Sequence, residues 1–165
     1  MNDLLHNLIE ALREELKQYG EMIAVLEQQQ QAVVQRQTGN LLQNVADVNG
    51  QANVVAAVRH ERDQHRRNVA RMLNLDEDAG FAVIIPQLPA DYRPLVQALV
   101  SENNALLVRI QQRARQNHLL LSHAVDLLRQ LMNAIFPGGA PRTYDSAGRL
   151  PSNQPPRHSI YEQVC

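Results

Sequence analysis

The most constraining feature of this sequence is a strongly apolar helical pattern from Asn117 to Phe136 that ends at Pro137-Gly138-Gly139. Proline lacks a backbone N–H and glycine is a poor helix former, so the pattern predicts a helix that stops there. The tail that follows carries an isolated tyrosine, Tyr144. An apolar helix that leads into such a tail favours a docking device for another protein over an active site.

Composition narrows the class of protein. The chain has 165 residues, no Trp and few aromatic residues, which predicts one all-α domain with a real core. The formal net charge is −1, so overall charge gives no argument for binding nucleic acid or a membrane surface. Cys165 is the single cysteine, which indicates a reducing compartment. We find no signal peptide and no apolar run long enough to span a membrane, and we expect a cytoplasmic protein.

Apolar residues at spacings of three and four predict three long helices, from about 2 to 38, 41 to 74 and 91 to 136. Thr38-Gly39-Asn40 is interpreted as the turn between the first two, because glycine suits the position after a helix end. In the second helix the predicted stripe is Leu42, Val45, Val48, Ala52, Val55, Val69 and Leu73. Pro94 is acceptable in the first turn of the third helix.

The segment between the second and third long helices breaks the pattern. Asp76, Glu77 and Asp78 are candidates to cap a short helix, and Phe81-Ala-Val-Ile-Ile85 requires burial. We predict a short helix or apolar clasp near 76–88 that plugs one end of an antiparallel bundle of three long helices.

The third helix keeps a seven-residue repeat, and Asn103 and Asn117 lie on its apolar seam. A buried asparagine on such a seam fixes the alignment of two helices at a cost in stability. The alternative, that both lie half solvated at the edge of the seam, stays open at this stage.

Helix lengths predict an exposed end. At 1.5 Å per residue the first two helices are roughly 50–55 Å long and the third is roughly 68 Å. In an up-down-up bundle the excess places residues 126–136 beyond the turn near 38–40. This apolar overhang must be covered by the clasp, by a second copy or by a partner.

The sequence divides into a helical bundle, 1–136, and a tail, 137–165, that holds five of the eight prolines. A tail of this composition buries too little apolar surface to order itself, so we expect it to be flexible.

Enzymatic and metal-binding patterns are weak. His60 and His65, like His118 and His123, are five residues apart, whereas two zinc ligands on one helix face need a spacing of four. Glu61 and Asp63 lie among the arginines from Arg59 to Arg71, which favours a solvated helix face with intrahelical pairs over a nucleic-acid site. We predict no enzyme, no cofactor and no metal.

Several features together resemble the FlgN family of flagellar export chaperones over roughly residues 3–150. They are a Glu- and Leu-rich first helix, an Arg-bearing second helix, a Leu-Asn-Leu-acidic link, and a last helix of the type Asn117-x-x-Leu120-x-x-x-Ala124-x-x-Leu127-Leu128-x-x-Leu131. The box Tyr144-Asp145-x-x-Gly148-Arg149 follows. The resemblance implies a cytoplasmic, non-enzymatic chaperone that binds C-terminal helices of the hook–filament junction proteins and prevents their premature polymerisation.

The resemblance also implies sites. Substrate contact is expected on the last helix, at Leu120, Leu121, Ala124, Leu127, Leu128, Leu131, Met132 and Ile135. Tyr144 matches a tyrosine implicated in contact with the cytoplasmic domain of the export gate. Nothing is transferred onto residues 151–165, because this tail is longer and richer in proline than the family's.

Two other functions are considered. The runner-up is a structural coiled-coil protein that forms a homodimer through the end of the third helix. A nucleic-acid-binding bundle that uses Arg59–Arg71 is less favoured.

Overall fold

The computed structural model describes residues 2–35 and 38–135 and is all-α over these residues. Helix α1 is Asn2–Val34, α2 is Thr38–Met72, α3 is the single turn Phe81–Ile84, and α4 is Arg93–Ile135. A 3-10 turn, Ile85–Gln87, follows α3 directly. The predicted all-α bundle with a short extra helix near 76–88 is confirmed. The chain divides into two compact units, 1–125 and 126–165, and the packing below lies within the first.

Helix α1 buries the apolar stripe that its sequence predicts. Leu5, Leu8, Leu12, Tyr19 and Leu26 are at most 3% exposed, and they recur at spacings of three, four and seven. Helix α1 exchanges hydrogen bonds with both α2 and α4. It therefore contacts both of the other long helices.

Two asparagines of α4 donate hydrogen bonds to the backbone of α1. The amide of Asn103 donates to the carbonyl of Leu12 over 3.0 Å, and that of Asn117 donates to the carbonyl of Leu26 over 2.7 Å. Both pairs are 91 residues apart in sequence, so the helices run parallel and matching heptad positions face each other. The asparagines are 5% and 2% exposed, so they lie in the seam and not at its edge.

Polar side chains make specific contacts between α1 and α2. Gln51 donates to the side-chain oxygen of Gln18 over 2.8 Å, and Arg62 Nη2 donates to Glu15 Oε1 over 3.2 Å. These pairs make α2 antiparallel to α1. Glu15 also accepts a hydrogen bond from the Tyr19 hydroxyl over 2.8 Å. Burial, followed by the Glu15 hydrogen bond, raises the pKa of Tyr19 to about 12, so the phenol stays protonated at neutral pH.

The first half of α2 differs from prediction. Leu42 is 84% exposed and Val45 is 37% exposed, so the apolar stripe assigned to these residues is not a core stripe. Val69, near the other end of α2, is fully buried as expected. The prediction failed because this part of α2 meets α1 through amides such as Gln51, and because Asn44 is buried there in place of Leu42 and Val45.

The turn predicted at Thr38-Gly39-Asn40 is also misplaced. These residues form the first turn of α2, and α1 ends earlier, at Val34. Gly39 lacks the positive φ that a glycine after a helix end usually adopts. Glycine near a helix N-terminus is equally compatible with sequence rules, which explains the error.

A left-handed residue ends α2. Asn74 has φ 56°, its N–H donates to the Arg71 carbonyl over 3.0 Å, and the Leu75 N–H reaches back to the Ala70 carbonyl over 2.9 Å. This is a Schellman motif with asparagine in the position that glycine usually takes. It turns Leu75 back toward the core, where that side chain is partly buried.

Arg66 anchors the loop that follows. Its side chain is 9% exposed. The guanidinium donates to Asp63 Oδ1 over 2.8 Å and to the Glu77 carbonyl over 3.0 Å, and it also reaches the Ala79 carbonyl. The loop is thereby fixed against α2.

The predicted capping role of the acidic run 76–78 is wrong. The residue before α3 is Gly80, and no side chain caps that helix. Glu77 instead pairs with Arg71 over 2.7 Å, and Asp76 accepts the backbone N–H of Asp78 over 2.7 Å. A full arginine charge attracts a carboxylate more strongly than the dipole of a one-turn helix.

The segment 81–88 closes one end of the bundle as predicted. Ile84 and Leu88 are fully buried in one cluster with Leu8, Val69 and Val96. The cluster joins α1, α2 and α4 through the clasp, so burial is concentrated at this end.

We expect the double substitution Asn103→Leu with Asn117→Leu to raise the urea midpoint, because it replaces buried amides with apolar side chains. It should also loosen the alignment of α1 with α4. Spin labels at Lys17 and Val108, measured by pulsed electron resonance, should give one narrow distance distribution in the parent and a broad one in the double variant. A narrow distribution in both would show that other contacts set the alignment.

We expect the free energy of unfolding to depend on the charge of Asp63. The hydrogen bond from Arg66, helped by the charges of Arg67 and Arg62, holds the pKa of Asp63 below its usual value. A lowered folded-state pKa adds stability that is present above the unfolded-state pKa and is lost as pH falls through the folded-state value. Asp63→Asn should therefore lower the urea midpoint at neutral pH, and lower it less at about pH 3.

Asp91→Asn is the matched control, since Asp91 is an exposed carboxylate. An effect of Asp63→Asn that is equal at both pH values would contradict the ionic contribution.

Candidate partner-binding surface

The last described turns of α4 carry a row of exposed apolar side chains. The row consists of Leu127, Leu128, Leu131, Met132 and Ile135, which are between 53% and 66% exposed. Their spacings of one, three and four residues place them on one face of the helix. We call these five residues the apolar row; all of them belong to the second unit.

The other predicted contact residues differ in character. Leu120, Leu121 and Ala124 belong to the first unit and are half-buried. The alignment of 91 residues between α1 and α4 puts the last α1 residue, Val34, level with Val125. Three of the eight predicted residues therefore lie in the part of α4 that is aligned with α1. The other five follow that part in sequence.

The remaining positions of the same segment are polar except for Ala134. Asp126 and Arg129 form an exposed pair with 3.7 Å between Oδ1 and Nη1, and Gln130 and Asn133 are exposed as well. The segment therefore has an apolar face and a polar face. Such a helix binds another helix through its apolar face, and leucine with methionine accommodates varied partner side chains.

The arginines of α2 have structural partners. Arg59 and Arg62 lie 4.0 and 3.1 Å from the carboxylate of Glu15, and Arg67 lies 3.2 Å from Asp63. The intrahelical pairs predicted from the sequence are confirmed for Asp63, whereas the pairs to α1 were missed. Glu15, an acid within the leucine stripe of α1, is the sequence signal that would have indicated them. Because these charges are engaged, the structure gives no support to a nucleic-acid site here.

The part of the chain that the structure describes contains neither a metal-binding cluster nor a membrane-spanning helix. Within residues 2–35 and 38–135, no three His, Cys, Asp or Glu side chains are grouped so as to hold a metal ion. No helix in these ranges has an apolar stretch that is long enough to cross a bilayer. Tyr144, the predicted gate contact, lies outside the described residues, as does the tail 137–165.

Comparison with known proteins identifies the family. The model of the FlgN protein family matches residues 1–152. Searches among curated proteins and among solved structures returned no significant match. The match covers nearly the whole chain, and it includes the helices and the box around Tyr144 on which the sequence resemblance rests. The chain therefore belongs to the FlgN family of flagellar export chaperones.

Proposed function

We propose that this protein is a cytoplasmic chaperone that captures the C-terminal helices of hook–filament junction proteins before their export. The observation that supports this proposal most directly is the apolar row, five large side chains exposed on one helix face. Exposed apolar clusters are uncommon on proteins that act alone and commonly mark a protein-binding surface.

Helix-on-helix contact explains how capture would prevent polymerisation. The C-terminal segment of a junction protein assembles through an amphipathic helix. When that helix packs on the apolar row, its own apolar face is removed from water and from other subunits. The chaperone thus needs no bond-breaking step, and it releases the segment by simple dissociation.

The unusual ionisable groups support binding over catalysis. Tyr19 and Asp63 have shifted pKa values, and each is held by neighbours that also join structural elements. Neither is accompanied by a nucleophile and base arrangement of the kind that catalysis requires. We therefore assign no enzymatic activity and no cofactor to the chain.

Delivery requires a second contact. We assign it to Tyr144 and the cytoplasmic domain of the export gate, because the family resemblance places a gate-contacting tyrosine there. A lone aromatic residue between Gly138-Gly139 and Pro151 is suited to anchor a short linear motif. The chaperone would then hold its substrate on α4 and contact the gate through the tail.

Substitution of the row by acid should abolish capture. We expect Leu128→Asp and Leu131→Asp each to weaken binding of a junction-protein C-terminal fragment by about 30-fold or more, since loss of a buried leucine anchor costs ~2 kcal/mol. Titration calorimetry measures the affinity, and circular dichroism checks that both variants stay helical. Val108→Asp is the control, because Val108 is 51% exposed on α4 outside the row. Unchanged affinity in both row variants would overturn the site.

The same variants distinguish the chaperone from a coiled-coil dimer. Light scattering at several concentrations should show that the substrate-free protein is a monomer. A stable dimer that Leu128→Asp dissociates would favour self-association as the role of the row.

Tyr144→Ala should leave capture of the junction-protein fragment unchanged and should weaken binding to the gate domain. Tyr161→Ala is the matched control, because Tyr161 is also a tail tyrosine but lies outside the family match. Equal affinity of the parent and Tyr144→Ala for the gate domain would reject the assignment.

A further inference from the structure

The charges of the segment that carries the apolar row lie away from the row itself. Residues 126–135 contain two charged side chains, Asp126 and Arg129, which are of opposite sign. With about 3.6 residues per turn, Asp126 lies about 170° and Arg129 about 130° around the helix from the middle of the row. The two side chains pair with each other, with 3.7 Å between Oδ1 and Nη1. The row is therefore presented to a partner without a charge on its own face.

The apolar row is also wide. Its five side chains cover about 140° of the helix circumference, from Leu127 at one edge to Met132 at the other. The apolar seam of a two-helix coiled coil is narrower, and charged side chains often flank it and pair across the interface. Beyond the edge at Leu127 lie Ala134 and then Gln130, which are exposed and uncharged. A partner side chain at this margin therefore meets apolar or amide groups.

These two observations limit what a partner helix can carry at the margins of its own apolar face. A carboxylate or an ammonium group that is placed against Ala134 or Met132 loses water and finds no opposite charge there. Arg129 is the charged residue nearest to the Met132 edge, and it is paired with Asp126 on the polar face. Ion pairs across the margins commonly select the partner and its orientation in coiled coils. Selection at the apolar row depends instead on the shape and width of the apolar contact.

We propose that the apolar row selects a partner helix that has a broad apolar face with uncharged margins. The contacting side chains of the partner are leucine, isoleucine, methionine or valine, and the flanking positions hold alanine, serine or glutamine in place of glutamate and lysine. This inference rests on the proposed function, and it names the chemical class of helix that the chaperone captures. Capture is then insensitive to salt, because no ion pair contributes to it.

Three synthetic helical peptides test this selection with the full-length protein. All three share the same broad face of leucine and isoleucine, and they differ at the positions that flank it. These positions carry glutamine in the first peptide, glutamate in the second and lysine in the third. Charges on the outward face are chosen so that every peptide has zero net charge. Fluorescence anisotropy of the labelled peptides measures their affinities.

We expect the glutamine peptide to bind at least tenfold more tightly than the glutamate and lysine peptides, which should bind equally weakly. Its affinity should change by less than about twofold between about 50 and about 500 mM sodium chloride. The double variant Asp126→Asn with Arg129→Gln should leave this order unchanged, because it removes charges that lie on the polar face. Leu131→Asp should abolish binding of the glutamine peptide. Circular dichroism checks that both variants stay helical.

The outcomes separate this inference from the proposed function. The selection is wrong, and capture by the row stands, if the junction-protein fragment binds through Leu131 while either charged peptide binds as tightly as the glutamine peptide. The same conclusion follows if the double variant changes the order of affinities, or if salt weakens binding of the glutamine peptide tenfold. Undiminished binding of that peptide to Leu131→Asp would place it at another site and overturn the inference. If neither the fragment nor any peptide binds, the proposed function fails together with this inference.

Discussion

The hydrogen bonds from two α4 asparagines to the backbone of α1 are the contacts on which the rest of the fold depends. Each leaves its own oxygen without a partner, so they lower stability compared with an apolar pair. These hydrogen bonds contribute to the specificity of the alignment between α1 and α4. Carbonyl groups occur at every residue, however, and cannot by themselves select one alignment. Asn117 also donates to Gln29 over 3.0 Å, and Arg113 lies 3.3 Å from Glu27. These side-chain partners exist at one level of α1, which makes the alignment unique.

The alignment explains why part of α4 is suited to binding. Helix α1 ends level with Val125, and the apolar row begins two residues later. The row repeats the same spacing as the buried seam, so its side chains differ from core side chains in their surroundings and not in their chemistry. An apolar pattern that continues in sequence beyond the range aligned with α1 is therefore exposed, which makes it a candidate partner-binding surface.

The apolar periodicity of the sequence predicted those parts of the fold that are held together by apolar burial. It placed the α1 stripe, the clasp around Ile84, and the seam that contains Asn103. It failed where polar groups decide the packing. Leu42 is exposed because the early part of α2 meets α1 through amides, and the link from Arg62 to Glu15 has no periodic signal. Among the site residues, the positions of the row followed from sequence, whereas the half-buried state of Leu121 depended on where α1 ends.

Burial of the apolar side chains falls along α4 while the sequence pattern stays constant. Val96 is fully buried and Leu99 is 7% exposed, Ile110 is half-buried, and Leu131 is 56% exposed. Fold stability therefore arises mainly at the end of the first unit that the clasp closes, whereas partner contact is proposed for the apolar row. This separation has an energetic consequence. A substitution in the apolar row removes little buried surface from the free protein, so its effect should fall on affinity and not on unfolding. The reverse holds for Val96, whose truncation would leave a cavity in the cluster that joins all four helices.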